Sequence, residues 1–245
     1  MSSHSAGRRI PATDVVAAAA SLPFTRLVHF TPARNLSHIL RDGQLRSSKD
    51  LADNAADQFS PTDHARFDAH HNHLCCSFEY PNAYYRQLAG EKSEYVNYPN
   101  WVHFTLDRDL VGRPDTLFSG CNAAKGHGYY LKPGTRALLD CWANPSIPEG
   151  WIRRGTHHPG VPTDLQAEVL IPGPVSLSAV TGIIVASEAV ARELYGMLRR
   201  VHLDPDQLEW RVAPVIYNKD SLRSHIHLGR TPTETVWTPG PVDRA

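Results

Sequence analysis

The 245-residue sequence predicts an α+β fold with a mostly antiparallel sheet. Short apolar segments are spread along the chain, helical segments are few, and the alternation that a doubly wound parallel sheet needs is missing. No linker or internal repeat divides the chain, so residues 25–228 are expected to form one domain. Residues 1–24 are predicted to be an N-terminal extension with a short helix, and residues 229–245 a loose C-terminal tail.

The first half of the chain contains three predicted strands and two predicted helices. A helix over 35–42 is predicted because Leu36, Ile39 and Leu40 share one face and Gly43 provides a stop. The other elements are strands over 26–31, 73–78 and 101–106, a helix over 83–88 after Pro81, and a polar loop over 45–73.

The second half contains a long irregular loop, which is followed by strands and one clear helix. The loop, residues 141–166, holds four Pro and two Trp, and long loops in compact domains are often functional. Ser187 is the predicted N-cap of a helix that runs to Arg200. The other elements are a helical turn over 122–125, a helix over 136–142, and strands over 165–171, 182–186 and 210–217.

Charge and apolar content exclude several classes of protein. The 25 basic residues balance 25 acidic ones, which argues against a protein that coats nucleic acid in bulk. No apolar run is long enough to cross a bilayer, so no membrane partner is expected. Pro11 and Asp14 interrupt the short apolar run near the N-terminus, which predicts a cytoplasmic protein without a signal peptide. The four cysteines form no CxxC motif and are expected to be free thiols.

Two groups of histidines raise the question of a metal site. His70, His71 and His73 form one group, and His157 and His158 form the other. A metal bound by the first group needs a fourth ligand that the sequence does not place, so no metal is expected. A metal-dependent nuclease that uses this group remains an alternative.

Two predicted strands carry polar side chains of chemical interest. His29 and Thr31 lie two residues apart, so they share one face of their strand. They are either cleft residues or partnered polar groups of the core. Glu168 lies in an otherwise apolar strand at the exit of the long loop, where a carboxylate is costly unless it is paired or faces a cleft. The alternative is an exposed Glu on an edge strand.

The segment 75–85 is a strand that runs into a helix and is rich in aromatic residues. Tyr84 and Tyr85 are placed to stack on a planar ligand. They are equally suited to packing in the core, which is the commoner use of aromatic residues.

Five short motifs, taken in order, carry a resemblance to a known family. They are His29-x-Thr31 with Asn35-Leu36, an Arg in the next loop, a Ser-containing strand before Pro81-Asn82, Asn122-Ala123-Ala124, and Gln166-Ala167-Glu168-Val169-Leu170. Over roughly residues 27–186 the chain resembles the DarT family of DNA ADP-ribosyltransferase toxins. Residues 75–85 depart from the aromatic-rich, Arg-containing strand of the thymidine-modifying branch and look more like the guanine-modifying branch.

The resemblance implies an ADP-ribosyltransferase fold, with a split sheet core, flanking helices and NAD⁺ bound in the cleft. Glu168 is then the catalytic carboxylate, which stabilises the oxocarbenium-like state. Arg66 matches the family's loop arginine and is implied as a second catalytic residue, which would hold the NAD⁺ diphosphate or position the target base. The alternative is a surface Arg. The implied cofactor-binding residues are His29, Thr31, Asn35, Leu36, Arg66, Ser77 and one of Tyr84 and Tyr85.

The loop before Glu168 is the implied DNA-recognition loop. Its aromatic and basic residues suit single-stranded DNA. They are Trp151, Arg153, Arg154, His157 and His158. The alternative is a solvated loop. Neither GxGxxG nor a Walker A motif occurs, so NAD⁺ is not expected to be bound by a doubly wound fold.

The resemblance implies a toxin that moves ADP-ribose from NAD⁺ onto a base of single-stranded DNA, with guanine as the expected acceptor. It also implies a cognate antitoxin, either a NADAR-type or a macrodomain ADP-ribosylhydrolase. Two alternatives stay open: a different acceptor, namely thymidine, RNA or protein, and a non-catalytic module that binds NAD⁺ or nucleic acid.

Overall fold

The computed structural model describes residues 12–54, 68–91 and 100–241, which form eleven strands and eight α-helices. The strands are β1 (Arg26–Pro32), β2 (Gln44–Leu45), β3 (His73–Phe78), β4 (Trp101–Asp107), β5 (Leu117–Ser119), β6 (Lys132–Pro133), β7 (Glu168–Pro172), β8 (Val175–Ser176), β9 (Val180–Val185), β10 (Trp210–Val212) and β11 (Thr235–Trp237). The helices are α1 (Ala12–Ser21), α2 (Leu36–Asp42), α3 (Ser48–Asn54), α4 (Ala83–Gly90), α5 (Thr135–Asp140), α6 (Glu188–Arg200), α7 (Pro214–Tyr217) and α8 (Lys219–His227).

Nine strands form one twisted layer, in the order β11-β10-β9-β4-β1-β3-β7-β5-β6. All of its pairs are antiparallel except β9 with β10. β2 and β8 form a separate antiparallel pair. The predicted α+β class with a mostly antiparallel sheet is therefore confirmed.

The sheet divides at β3. The end of this strand pairs with β1, through Leu27 with Phe78 and Val28 with Ser77. Its beginning pairs instead with β7, from His73 opposite Pro172 onward. The second half of β1 therefore separates from β3, and this separation opens a cleft in the sheet.

The core lies on both sides of the sheet and is formed by its apolar residues and the helices that cover it. Phe24 and Leu27 are fully buried, and α6 packs its Leu194 and Leu198 on β9 and β10. The Ser187 hydroxyl accepts a hydrogen bond from the Val190 amide at 3.3 Å, which confirms the predicted N-cap. None of the helices described is long and apolar enough to cross a membrane.

Two predicted features at the C-terminal end are wrong. The strand predicted to reach residue 217 ends at Val212, because Pro214 cannot donate to a ladder and starts α7 instead. The predicted loose tail contains β11, whose Trp237 is buried against Trp210. Glu234 also forms an ion pair with Arg26 of β1. The domain boundaries themselves remain a prediction.

Candidate active site

A cavity of about 220 Å³ lies where the sheet divides. Strands β1, β3 and β7 form its walls, together with α2, the start of α3 and the turn over 122–124. It is partly open to solvent and lined by both polar and apolar groups. Among the lining residues are His29, Phe30, Thr31, Asn35, Asp42, Arg46, Asp68, Cys75, Ser77, Tyr85, Asn122, Ala123 and Glu168.

Glu168 is the first residue of β7 and is 7% exposed at the wall of this cavity. Its Oε1 accepts a hydrogen bond from Asn82 Nδ2 at 3.3 Å, and its Oε2 accepts one from the backbone amide of Ala123 at 2.6 Å. The predicted alternative of an exposed Glu on an edge strand is wrong, because β7 lies between β3 and β5. Two N–H donors therefore fix the orientation of this carboxylate.

Asn82 joins three parts of the site, and its side chain is fully buried. Its Oδ1 accepts a hydrogen bond from the Tyr85 amide and so caps α4. Its own backbone amide donates to Ser77 Oγ at 3.0 Å. One residue therefore links the end of β3, the helix that carries Tyr85 and the carboxylate of Glu168.

The opposite wall is formed by β1 and the start of α2. His29 Nδ1 lies 2.9 Å from the carbonyl oxygen of Cys75, so this ring nitrogen carries the hydrogen and bridges the gap between β1 and β3. Asn35 Nδ2 donates to Thr31 Oγ1 at 2.8 Å. These contacts hold three predicted cofactor residues at the cavity.

A family model described as "ssDNA thymidine ADP-ribosyltransferase, DarT" matches residues 28–217, which is more than half of the chain. The chain belongs to the DarT family. It is therefore an ADP-ribosyltransferase of single-stranded DNA, as the resemblance implied. No curated protein is significantly similar to the chain.

Solved structures of DarT proteins share this fold. The Thermus sp. 2.9 DarT in complex with ADP-ribosylated ssDNA has a TM-score of 0.54 at 18% identity, over 79% of this chain and 96% of that one. The same protein in complex with NAD⁺ has a TM-score of 0.53 at 16% identity, over 80% of this chain and 98% of that one. Thermosipho africanus DarTG in complex with ADP-ribose gives 0.54 at 14% identity, and the match covers 79% of this chain but only 51% of that one.

Some of the residues predicted from the DarT resemblance lie away from the cavity. Leu36 is fully buried in the main core and does not line the cleft. Tyr84 lies under the ammonium group of Lys219 on the other side of α4, so Tyr85 is the tyrosine at the cleft. Arg66 lies outside the described residues.

Sequence reasoning missed Arg46, a cation at the cavity. Its guanidinium is held by Asp50, with Nε 2.6 Å from Oδ2, and by Asp42 at 3.4 Å. The ion pair with Asp50 raises the pKa of Arg46. Acidic residues four positions before and after an Arg were the signal in the sequence.

The predicted DNA-recognition loop is tightly folded on itself. Arg153 donates to the backbone carbonyls of Val161, His158 and Pro159 at 2.7 to 3.0 Å. His157 is buried and its Nε2 bonds the carbonyl of Pro162, and burial lowers its pKa to about 4. The structure therefore gives Arg153, His157 and His158 contacts within the fold rather than an open surface.

Two predicted DNA-binding residues of this loop do lie on the surface. Trp151 is 59% exposed, and Arg154 is exposed as well. Two of the five predicted side chains are therefore positioned to reach a ligand.

The two ends of the loop meet where the Thr163 amide donates to the Cys141 carbonyl at 3.1 Å.

The histidines of the N-terminal half form no metal centre within the described ranges, where no group of three potential ligands occurs. The rings of His70 and His73 are 5.3 Å apart, but the ring of His73 bonds Asn72 and the carbonyl of Asp115. The four cysteines are free thiols, as predicted.

Proposed function

We propose that this chain transfers ADP-ribose from NAD⁺ to a guanine base of single-stranded DNA, with release of nicotinamide. The observation that carries the proposal is Glu168, a buried carboxylate aimed by Asn82 and Ala123 at the cleft between β1 and β3. Such a carboxylate suits the chemistry because positive charge develops on the ribose as nicotinamide leaves.

The reaction breaks one bond and forms another. The C1′–N bond to nicotinamide breaks, and the leaving group takes the electron pair and becomes neutral. A nitrogen of the acceptor base supplies the pair for the new C1′–N bond and loses a proton. Glu168 stabilises the cation and is placed to orient the acceptor or accept that proton.

The residues around Glu168 supply the NAD⁺ site in this proposal. Tyr85 offers a ring for stacking on nicotinamide, and Ser77 offers a hydroxyl at the same wall. His29 and the Thr31–Asn35 pair face them with hydrogen-bonding groups for the ribose and the dinucleotide. Arg66 stays a predicted contact to the diphosphate or the base.

The choice of base rests on residues 75–85, which resemble the guanine-modifying branch. Thymidine is the second candidate, because the matching family model is described as acting on thymidine. In the cell, the protein would be a cytoplasmic toxin that blocks replication. The Thermosipho neighbour is a DarTG protein, which favours a cognate antitoxin of the NADAR or macrodomain type.

Mass spectrometry of oligonucleotides tests the proposal. Single strands that lack only guanine or only thymine are incubated with the protein and NAD⁺. A gain of one ADP-ribose on every strand except the guanine-free one is expected, and loss of modification on the thymine-free strand would assign thymidine instead. Glu168→Gln removes the charge at nearly constant shape, so transfer should fall by at least about 100-fold. Transfer at the wild-type rate would overturn the mechanism.

The antitoxin is tested with the modified strand itself. Purified NADAR-type and macrodomain hydrolases are each added to the ADP-ribosylated oligonucleotide, and release of ADP-ribose is followed. Removal by the NADAR-type enzyme alone is expected for a guanine adduct, and removal by the macrodomain enzyme alone would contradict it.

A further inference from the structure

The turn over 122–124 leads into an exposed loop at the edge of the cavity, which we call the rim loop, residues 124–132. Ala123 and Leu131 are buried against Leu170 of β7, so both ends of the loop are fixed to the strand that carries Glu168. In the middle, Gly128 adopts a φ of +81° and lies so close to the Asp68 carbonyl that a Cβ there would be 2.9 Å from its oxygen. The rim loop therefore lies beside the cavity, because Ala124 and Asp68 both line it.

The rim loop presents an aromatic ring to solvent. Tyr129 is 69% exposed, which is more than Trp151 at 59%. The ring of Tyr130 lies perpendicular to it at 5.1 Å, and the Lys132 ammonium lies 5.0 Å from its centroid. These neighbours hold the ring outward and place a positive charge beside it.

The backbone of the rim loop contains a run of positive φ values, in which only His127 is strained. Three successive residues, Gly126, His127 and Gly128, have positive φ values, and His127 at +54° is not a glycine. Such conformations are costly and are concentrated at ligand-binding sites.

We infer that the rim loop is a stacking platform for single-stranded DNA: Tyr129 stacks on a nucleobase next to the acceptor, and Lys132 contacts a phosphate. This rests on the proposed function, since the ligand is the acceptor strand of that reaction. An exposed ring with a neighbouring cation is the arrangement that binds single strands without reading their sequence. An ion pair between Lys125 and Glu149 joins the rim loop to the loop that carries Trp151, a second exposed aromatic side chain.

Binding and turnover of Tyr129 variants test the platform. Fluorescence anisotropy measures binding of a labelled single-stranded oligonucleotide to the full chain, and steady-state kinetics give KM for the oligonucleotide and for NAD⁺. Tyr129→Ala should weaken binding and raise KM for DNA at least about fivefold, while KM for NAD⁺ stays unchanged. Tyr129→Phe keeps the ring and should behave as wild type.

The salt dependence isolates Lys132. Loss of one phosphate contact should reduce the slope of log K against log salt by about 0.7 in Lys132→Ala. Val201 is an exposed apolar residue at the end of α6, and Val201→Ala is the matched control. It should change neither the affinity for the oligonucleotide nor the slope of log K against log salt.

The outcomes separate this inference from the proposed function. If the wild type modifies DNA, and Tyr129→Ala binds and modifies DNA as well as the wild type does, the platform is refuted and the proposed function stands. If the wild type modifies no DNA but binds single strands in a Tyr129-dependent way, the proposed function fails and the platform stands.

Discussion

Replacement of Asn82 is the sharpest test of how the candidate active site is held. In Asn82→Ala, Glu168 loses its hydrogen bond from Nδ2, and the Tyr85 amide loses its cap. A hydrogen bond to a charged group contributes about 1.5–3 kcal/mol, and a helix N-cap contributes about 1 kcal/mol. We therefore expect a loss of about 2–4 kcal/mol in unfolding free energy and, if the first contact also orients Glu168 in the transition state, a roughly 10- to 150-fold lower kcat.

A second variant separates the two contacts. Asn82→Ser keeps an oxygen that caps α4 but has no donor that reaches Glu168. Its melting temperature should recover most of the loss seen in Asn82→Ala, while kcat for ADP-ribose transfer stays low. Thermal unfolding and initial-rate kinetics at saturating NAD⁺ measure both quantities. A serine variant with wild-type kcat would refute the reasoning, because stability alone would then explain the alanine variant.

Three further predictions concern the surrounding fold. Burial lowers the pKa of His157 to about 4 in the folded chain. Between about pH 4 and pH 6.5 the unfolded chain therefore binds a proton at this residue that the folded chain does not bind. Stability is therefore full above pH 6.5 and falls by up to about 3 kcal/mol as the pH drops towards 4, and His157→Gln should flatten this part of a pH titration of melting temperature. Trp237→Ala removes a ring packed on Trp210 and should cost about 3 kcal/mol in urea unfolding, whereas a loose tail would make it neutral. Gly128→Ala places a methyl group against the Asp68 carbonyl at a positive φ and should cost about 1–2 kcal/mol, a penalty that an unstrained loop would not show.

The long elements of the fold could be predicted from the sequence because their signals are local. β1, β3 and α6 lie within a residue or two of their predicted bounds, since apolar alternation and the Ser187 cap mark them. The three residues of β5 are too few for a period to show. The sequence predicts a loop where α3 forms, because this polar helix has no apolar face and buries none of its residues.

The residues of the candidate site also fall into those that have a local signal in the sequence and those that have none. His29, Thr31 and Glu168 can be predicted from the sequence, because each is a polar residue that interrupts an apolar strand. The role of Asn82 cannot be predicted in this way, because its contact with Glu168 joins residues 86 positions apart. The sequence also does not distinguish a basic residue of the predicted DNA-recognition loop that donates to backbone carbonyls of the same loop, such as Arg153, from one that faces solvent, such as Arg154.

The contact between Thr163 and Cys141 brings together the two ends of the loop before Glu168. These ends leave the domain at one point, and Arg153 binds carbonyls of the same loop rather than of the sheet. The loop also contacts α8, where Thr156 Oγ1 donates to the His227 carbonyl and the His158 amide donates to the Ile226 carbonyl. An exchange that leaves β7 in place must therefore keep the spacing of the loop ends and these two contacts. If the loop recognises DNA as proposed, such an exchange should alter acceptor preference while Glu168 keeps its hydrogen bonds from Asn82 and Ala123.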